Sequence, residues 1–260
     1  MGALPIIEIK NVNFRYEREN VLENINLSIP KGAFLGLVGP NGSGKSTLLK
    51  LILGLLKLKE GEISLFGEDL AKFKKWDQIG FVSQKASSFN TGFPATVYEV
   101  VASGLTKKVG LFRFLGKKEK MAVMEAIEAV GMESFIHRNI GELSGGQQQR
   151  IFIARAIVCQ PEVLILDEPT VGVDVQHVQS FYEMLDFLNK KLGITLVLVT
   201  HDIGIITEKV SHVACLNKHL HFHGNMEQFS ALNEEDFSRL YGHGIQVVEH
   251  NHEGAGTRND

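Results

Sequence analysis

Gly39-Pro40-Asn41-Gly42-Ser43-Gly44-Lys45-Ser46 is the stretch on which the reading of this chain turns. It matches G-x-x-x-x-G-K-[ST], the pattern of a phosphate-cradling loop. Its glycines let the backbone wrap so that several N–H groups aim inward at phosphate oxygens. Lys45 then reaches the β- and γ-phosphates of a nucleoside triphosphate, and the Ser46 hydroxyl can ligate Mg²⁺. Upstream, residues 33–38 run apolar without interruption, as a strand buried on both faces would. Downstream, a helix starting near Lys45 and continuing through Leu48, Leu49, Leu51 and Ile52 turns its positive dipole end to the same phosphates. Thr47 falls in that first turn and is counted with the binding residues.

Two further apolar runs, 163–166 and 195–199, read as buried strands. Asp167 ends the first of them, where a carboxylate beside a phosphate loop holds Mg²⁺ directly or through water. Glu168 follows, aimed differently by strand alternation, and is suited to orient and deprotonate an attacking water. The plainer alternative is a strand that merely ends in solvated acids. Nearer the N-terminus, residues 7–14 and 21–29 alternate as antiparallel strands with one exposed face. Helical spacing recurs at Met121, Met124, Ile127 and Val130 over 118–131, and again at Val178, Phe181, Tyr182, Leu185 and Leu188. Both stripes are expected to pack into the core.

Composition narrows the class. Of 260 residues 44% are apolar and 22% charged, ordinary for a folded protein. A formal net charge of −3 supplies no field for nucleic acid, so no nucleic-acid partner is expected. Cys159 and Cys215 stand far apart in apolar sequence and read as buried thiols of a reducing compartment. No signal peptide and no membrane-length apolar run is seen, so membrane association is expected to come through a partner or a surface.

Leu143-Ser144-Gly145-Gly146-Gln147, in order after the phosphate loop, resembles the signature motif of ABC-transporter ATPases. The resemblance runs from Tyr16 to about His223 and implies a RecA-like α/β P-loop core with an antiparallel β sub-domain and an inserted helical sub-domain. It implies a head-to-tail homodimer formed on ATP binding, with Ser144, Gly145, Gly146 and Gln147 capping the nucleotide in the other subunit's loop. Ser144 and the glycines should open a helix through Arg150 and Arg155, a second anion site by its free N–H groups. Tyr16 sits where the family stacks an aromatic ring on adenine, the alternative being a core aromatic. Gln84, closing Ile79-Gly80-Phe81-Val82-Ser83, matches the glutamine that contacts Mg²⁺ and links core to helical section. His201 matches the histidine on the γ-phosphate, and Asp174 the aspartate that crosses the dimer interface. Val171-Gly172-Val173 departs from the usual leucine-containing lead-in to that aspartate, which bears on fine interface geometry.

The stretch 93–101 with Ala102-Ser103-Gly104-Leu105 resembles the zinc/manganese-importer branch, where this region faces a membrane subunit whose short helix docks in a groove. Six of the ten histidines, His219, His221, His223, His243, His250 and His252, gather toward the C-terminus. The first three alternate along a strand and so share one face, which could hold Zn²⁺ or simply be a solvated edge. Lys107, Lys108, Arg113, Lys117, Lys118 and Lys120 form either a solvated face or a patch beside anionic lipid.

The expected protein is therefore an ATP-hydrolysing motor subunit of an ABC importer, for zinc or manganese, with ATP and Mg²⁺ as cofactors. Its partners are integral membrane permease subunits and, indirectly, an extracellular metal-binding protein; it sits on the inner face of the plasma membrane. An ATPase domain spans 1–241, with the helical sub-domain at about 85–158, and 242–260 is expected to be a disordered tail. The alternatives are an importer of siderophore, haem or cobalamin, and a non-transport cassette of the iron–sulfur assembly type.

Overall fold

Strands β1 (Ile7–Tyr16) and β2 (Glu19–Ile29) pair antiparallel and bury alternate residues, as their alternating sequence requires. They are joined by β4 (Glu60–Leu65) and β5 (Glu68–Asp69) in a four-stranded sheet of order β2-β1-β4-β5. The mostly apolar, almost wholly buried β3 (Phe34–Val38), β7 (Val163–Asp167) and β8 (Thr195–Thr200) lie inside a second sheet. That sheet has six strands in the order β10-β9-β3-β8-β7-β6, with β6 (Ile79–Val82), β9 (His212–Asn217) and β10 (His219–Asn225). All its pairings are parallel except β9 with β10. A computed structural model describes residues 5–84, 94–110, 114–170, 175–201 and 209–231.

Alternation sorts the two faces of the parallel sheet into two cores. Leu35, Leu37, Ile165, Val197 and Val199 pack with α1 (Lys45–Ile52) and the antiparallel sheet. Phe34, Val38, Leu164, Leu166, Leu196 and Leu198 pack with the helices on the other side. These helices are α2 (Val97–Ala102), α4 (Lys117–Ala129), α5 (Gly145–Ile157) and α6 (Val175–Lys190). Leu164, Leu166 and Leu198 are wholly buried, each contributing about 1.5–3 kcal/mol. The short α3 (Thr106–Val109) lies between α2 and α4, and α7 (Met226–Ser230) follows β10. Among the described residues no helix is long and apolar enough to cross a membrane.

Helix α6 buries Phe181, Tyr182, Leu185 and Leu188 as expected. Helix α4 does not follow its expected stripe. Val123, Ala126, Ile127 and Val130 face the core, whereas Met121 and Met124 are about half exposed. Strict three-residue spacing falls about 60° short of a turn at each step, so Met121 ends opposite Val130. Gly131, at φ 68°, stops the helix. The three histidines of β10 do not share one face either. A register shift between Leu220 and Phe222 sets those residues against opposite cores. His219 and His221 are exposed, with ring centroids 6.3 Å apart, while His223 is half-buried. Among the described residues no group of three His, Cys, Asp or Glu is placed to hold a metal. Cys159 and Cys215 are free thiols, and burial pushes the Cys215 thiol up to about 12.

Candidate nucleotide-binding site

Register brings the site together. Val38 pairs with Thr200 and Asp167 with Val199, so β3, β7 and β8 end side by side at the carboxyl edge of the sheet. In open α/β sheets ligands bind at that edge. The phosphate loop leaves β3 there, the acids leave β7, and His201 follows β8.

The loop is held by its surroundings. A Cβ at Gly39 would stand 2.0 Å from the Leu216 carbonyl oxygen, and one at Gly44 would stand 2.9 Å from that of Val21. No other residue fits either position. The Lys218 N–H donates to the Ser43 carbonyl at 3.1 Å, fastening the β9–β10 turn to the loop. Lys45 opens α1 and is only 5% exposed. Its Nζ donates to the carbonyls of Gly39 at 2.7 Å and Pro40 at 2.9 Å. Burial pulls its ammonium below the usual range, and the charges of Glu168 and Asp167 act against that pull. Ser43 Oγ is buried without a hydrogen-bond partner, a donor suited to a phosphate oxygen. Asn41, Gly42 and Ser46 are exposed, Pro40 is half-buried and Thr47 is buried.

Burial first, then the neighbouring Glu168, pushes the Asp167 carboxyl above its usual range, while Lys45 and Lys50 partly offset this. Glu168 takes a positive φ of 46°, a conformation that costs a non-glycine residue about 1–2 kcal/mol. Its N–H is held by the Val199 carbonyl at 2.9 Å. The turn aims its carboxylate away from Asp167's path: Oε2 accepts from Gln84 Nε2 at 2.7 Å, and Oε1 lies 3.9 Å from His201 Nδ1. Glu168 keeps 16% of its side-chain exposure and His201 61%. Two acids beside one buried lysine leave room for a further cation. The Ser46 hydroxyl, the Asp167 carboxylate and the Gln84 amide are the hard oxygen donors that Mg²⁺ takes.

The signature residues stand apart from this cluster. Ser144 caps α5, its Oγ accepting from Gln147 N–H and its N–H donating to Gln147 Oε1. Ser144 and Gly145 are exposed, Gly146 and Gln147 half-buried, and among the described residues the side-chain bonds of Ser144 and Gln147 stay within that cap. Tyr16 ends β1, 44% exposed, with its ring edge-on against Phe14 at 4.9 Å. It is therefore not a core aromatic. Asp174, Phe93, Arg113, His243, His250 and His252 lie outside the described residues.

Ser43 reads as part of the phosphate loop, but three details escape the sequence reading: the burial of its hydroxyl, the Lys218 tie and the Gln84–Glu168 bond. Lys218, at φ 59°, carries no residue-type signal for its turn. The spacing of Gln84 and Glu168 along the chain says nothing of their contact.

A family model described as "ABC transporter" matches residues 22–171. The chain is 59% identical over 224 residues to the zinc uptake system ATP-binding protein ZurA of Listeria monocytogenes, covering 86% of this chain and 87% of that one. It is 39% identical over 236 residues to the manganese transport system ATP-binding protein MntB of the same species, covering 91% and 96%. Among solved structures it resembles cbiO1 of Clostridium perfringens, part of the ABC transporter complex cbiONQ, with TM-score 0.79 and 31% identity over 91% of this chain and 94% of that one. It also resembles the ATP-binding cassette MJ0796, seen as a post-hydrolysis dimer bound to ADP and Pi, with TM-score 0.70 and 30% identity over 85% and 98%. The chain belongs to the ABC transporter family, as an ATP-binding and ATP-hydrolysing subunit related to those of the zinc and manganese importers.

Proposed function

We propose that two copies of this chain form the motor of a zinc importer, closing head-to-tail on ATP and reopening after hydrolysis to move paired membrane subunits. The cargo rests on the zinc-uptake relative at 59% identity. Manganese is the second reading, favoured by the relative at 39%. An extracellular metal-binding protein delivers the ion to the permease, and the motor stays at the inner face of the plasma membrane through that permease.

The observation that carries the motor reading is the run of β6. Among the described residues this strand is the edge of the parallel sheet, and its residues line a cleft of about 370 Å³ together with Lys107, Lys108, Arg155 and Cys159. Two residues beyond its end stands Gln84, bonded to Glu168. A permease helix seated in the cleft thus bears on the strand that positions the hydrolytic carboxylate.

In the reaction, Lys45 and the loop N–H groups hold the β- and γ-phosphates, and Tyr16 stacks on adenine. Glu168 takes the proton of the attacking water, and His201 donates to the γ-phosphate. Gln84 orients Glu168. The partner subunit closes the site through its own Ser144-Gly145-Gly146-Gln147 and Asp174. Mg²⁺, held by Ser46, Asp167 and Gln84, would neutralise phosphate charge. The ATPase domain ends near 241, its helical sub-domain spans about 85–158, and the histidines of the tail 242–260 tune hydrolysis at most.

Growth under zinc chelation tests the cargo. Cells lacking the chain should grow poorly and recover on added zinc, and a form truncated after Gly242 should rescue them as full length does. Recovery on manganese instead of zinc would move the assignment to the second reading.

A further inference from the structure

Arg150, on α5, is a half-buried cation that bonds only neutral oxygens among the described residues. Its Nη1 donates to the Val130 carbonyl at the end of α4 at 2.9 Å, and its Nη2 to Ser180 Oγ on α6 at 2.6 Å. Burial pulls the guanidinium below its usual range, yet an arginine keeps its charge. An apolar side chain would fill the same space without that desolvation. What it could not do is reach two acceptors on two different helices at once, which the planar guanidinium does.

The two acceptors belong to different parts of the molecule. Val130 caps α4 in the helical section, and its carbonyl is one of the helix-end oxygens that need an outside donor. Ser180 sits beside Phe181 and Tyr182, which anchor α6 in the core under the parallel sheet. Helix α5 carries both this fork and, at its N-terminus, the doubly bonded Ser144 cap. Helix α6 starts at Val175, directly after Asp174. One side chain therefore ties the helix that presents Ser144 to the helix that follows Asp174.

We propose that Arg150 is a positioning residue for the shared ATP site: its fork on Val130 and Ser180 sets the direction in which the Ser144-Gly145-Gly146 end of α5 meets the partner's nucleotide. This rests on the head-to-tail reading above. The role is in closure and not in nucleotide capture, because Arg150 lies on α5 whereas the phosphate loop is built on β3, α1 and the β9–β10 turn.

The test uses the full chain in a Glu168→Gln background, where ATP should hold the dimer, with ADP as the probe of nucleotide capture by one subunit. Arg150→Ala should weaken ATP-driven dimerisation roughly 10- to 100-fold, the factor carried by one or two hydrogen bonds to a charged group. ADP affinity should stay within about twofold of the parent on the same scale. Arg150→Lys, able to hold one acceptor at a time, should fall between. Ser180→Ala, which leaves α5 untouched, should reproduce part of the loss and add nothing to Arg150→Ala in the double variant. Equal losses of ADP affinity and dimerisation in both Arg150→Ala and Ser180→Ala would reduce Arg150 to a folding contact and overturn the proposal. Unchanged dimerisation in Arg150→Ala, with a parent that dimerises, would overturn it as well. A parent that stays monomeric with ATP would instead overturn the head-to-tail reading, and the proposal with it.

Discussion

The carboxyl edge of the parallel sheet and the N-terminus of α5 are the two places proposed to meet phosphate, and they are built differently. At the sheet edge Lys45 is 5% exposed, Ser43 Oγ is buried, and backbone from β2 and β9 closes on the loop. At α5 the Ser144 hydroxyl is exposed and, among the described residues, is held by the cap it makes with Gln147. The first gathers its groups within one chain, with the Gln84 amide bonded to Glu168 and Lys45 held on the loop carbonyls. The second, among the described residues, offers the donors of its cap alone. That contrast supports the proposal of a site divided between two subunits.

Breaking the sheet-edge half should give the largest effects. Lys45→Ala removes a buried, charge-bearing phosphate donor, and ATP affinity should fall at least about 100-fold in equilibrium titration. Glu168→Gln should leave that affinity nearly unchanged while turnover drops roughly 10²- to 10⁴-fold in a phosphate-release assay, since an amide cannot accept the water's proton. Full turnover in this variant would remove Glu168 as the base. Breaking the other half should look different. Ser144→Arg should keep ADP affinity within about twofold and lose ATP-driven dimerisation, a split that Lys45→Ala cannot show.

A smaller effect sharpens the idea that the sheet edge is tuned for a cation at the expense of stability. The folded protein raises the Asp167 carboxyl above its ordinary range, chiefly by burial. The folded state then binds its proton more tightly than the unfolded chain does, so this group lowers stability as pH rises through the carboxylate range. Asp167→Asn should raise the melting temperature of the nucleotide-free protein at neutral pH. The gain should vanish as the pH falls far enough to protonate Asp167 in both states. A variant less stable than the parent at neutral pH would contradict the sign.

Much of this was legible in the chain because its causes are local. Residues 33–38, 163–166 and 195–199 read as buried strands since both of their faces are covered, and the glycine pattern at 39–46 leaves few other uses. What was not legible depends on register or distance. The stripe through Met121 and Met124 had the right period to the eye but drifts around the helix, and only packing reveals which residues turn inward. The alternation of His219, His221 and His223 is undone by one register shift, which residue types do not announce. Glu168 reads as a continuation of its strand, yet a positive φ redirects it to Gln84. That redirection becomes visible only when β6, β7 and β8 are side by side.

The central claim, one ATP site made from halves of two chains, is tested most directly by mixing Lys45→Ala with Ser144→Arg protein. In the mixed dimer both lesions fall in one site and the other site is whole. ATP hydrolysis by the mixture should rise above the summed rates of the separate variants and should reach a maximum near equal amounts. Hydrolysis that stays at that sum at every ratio, with both proteins folded, would contradict the divided site.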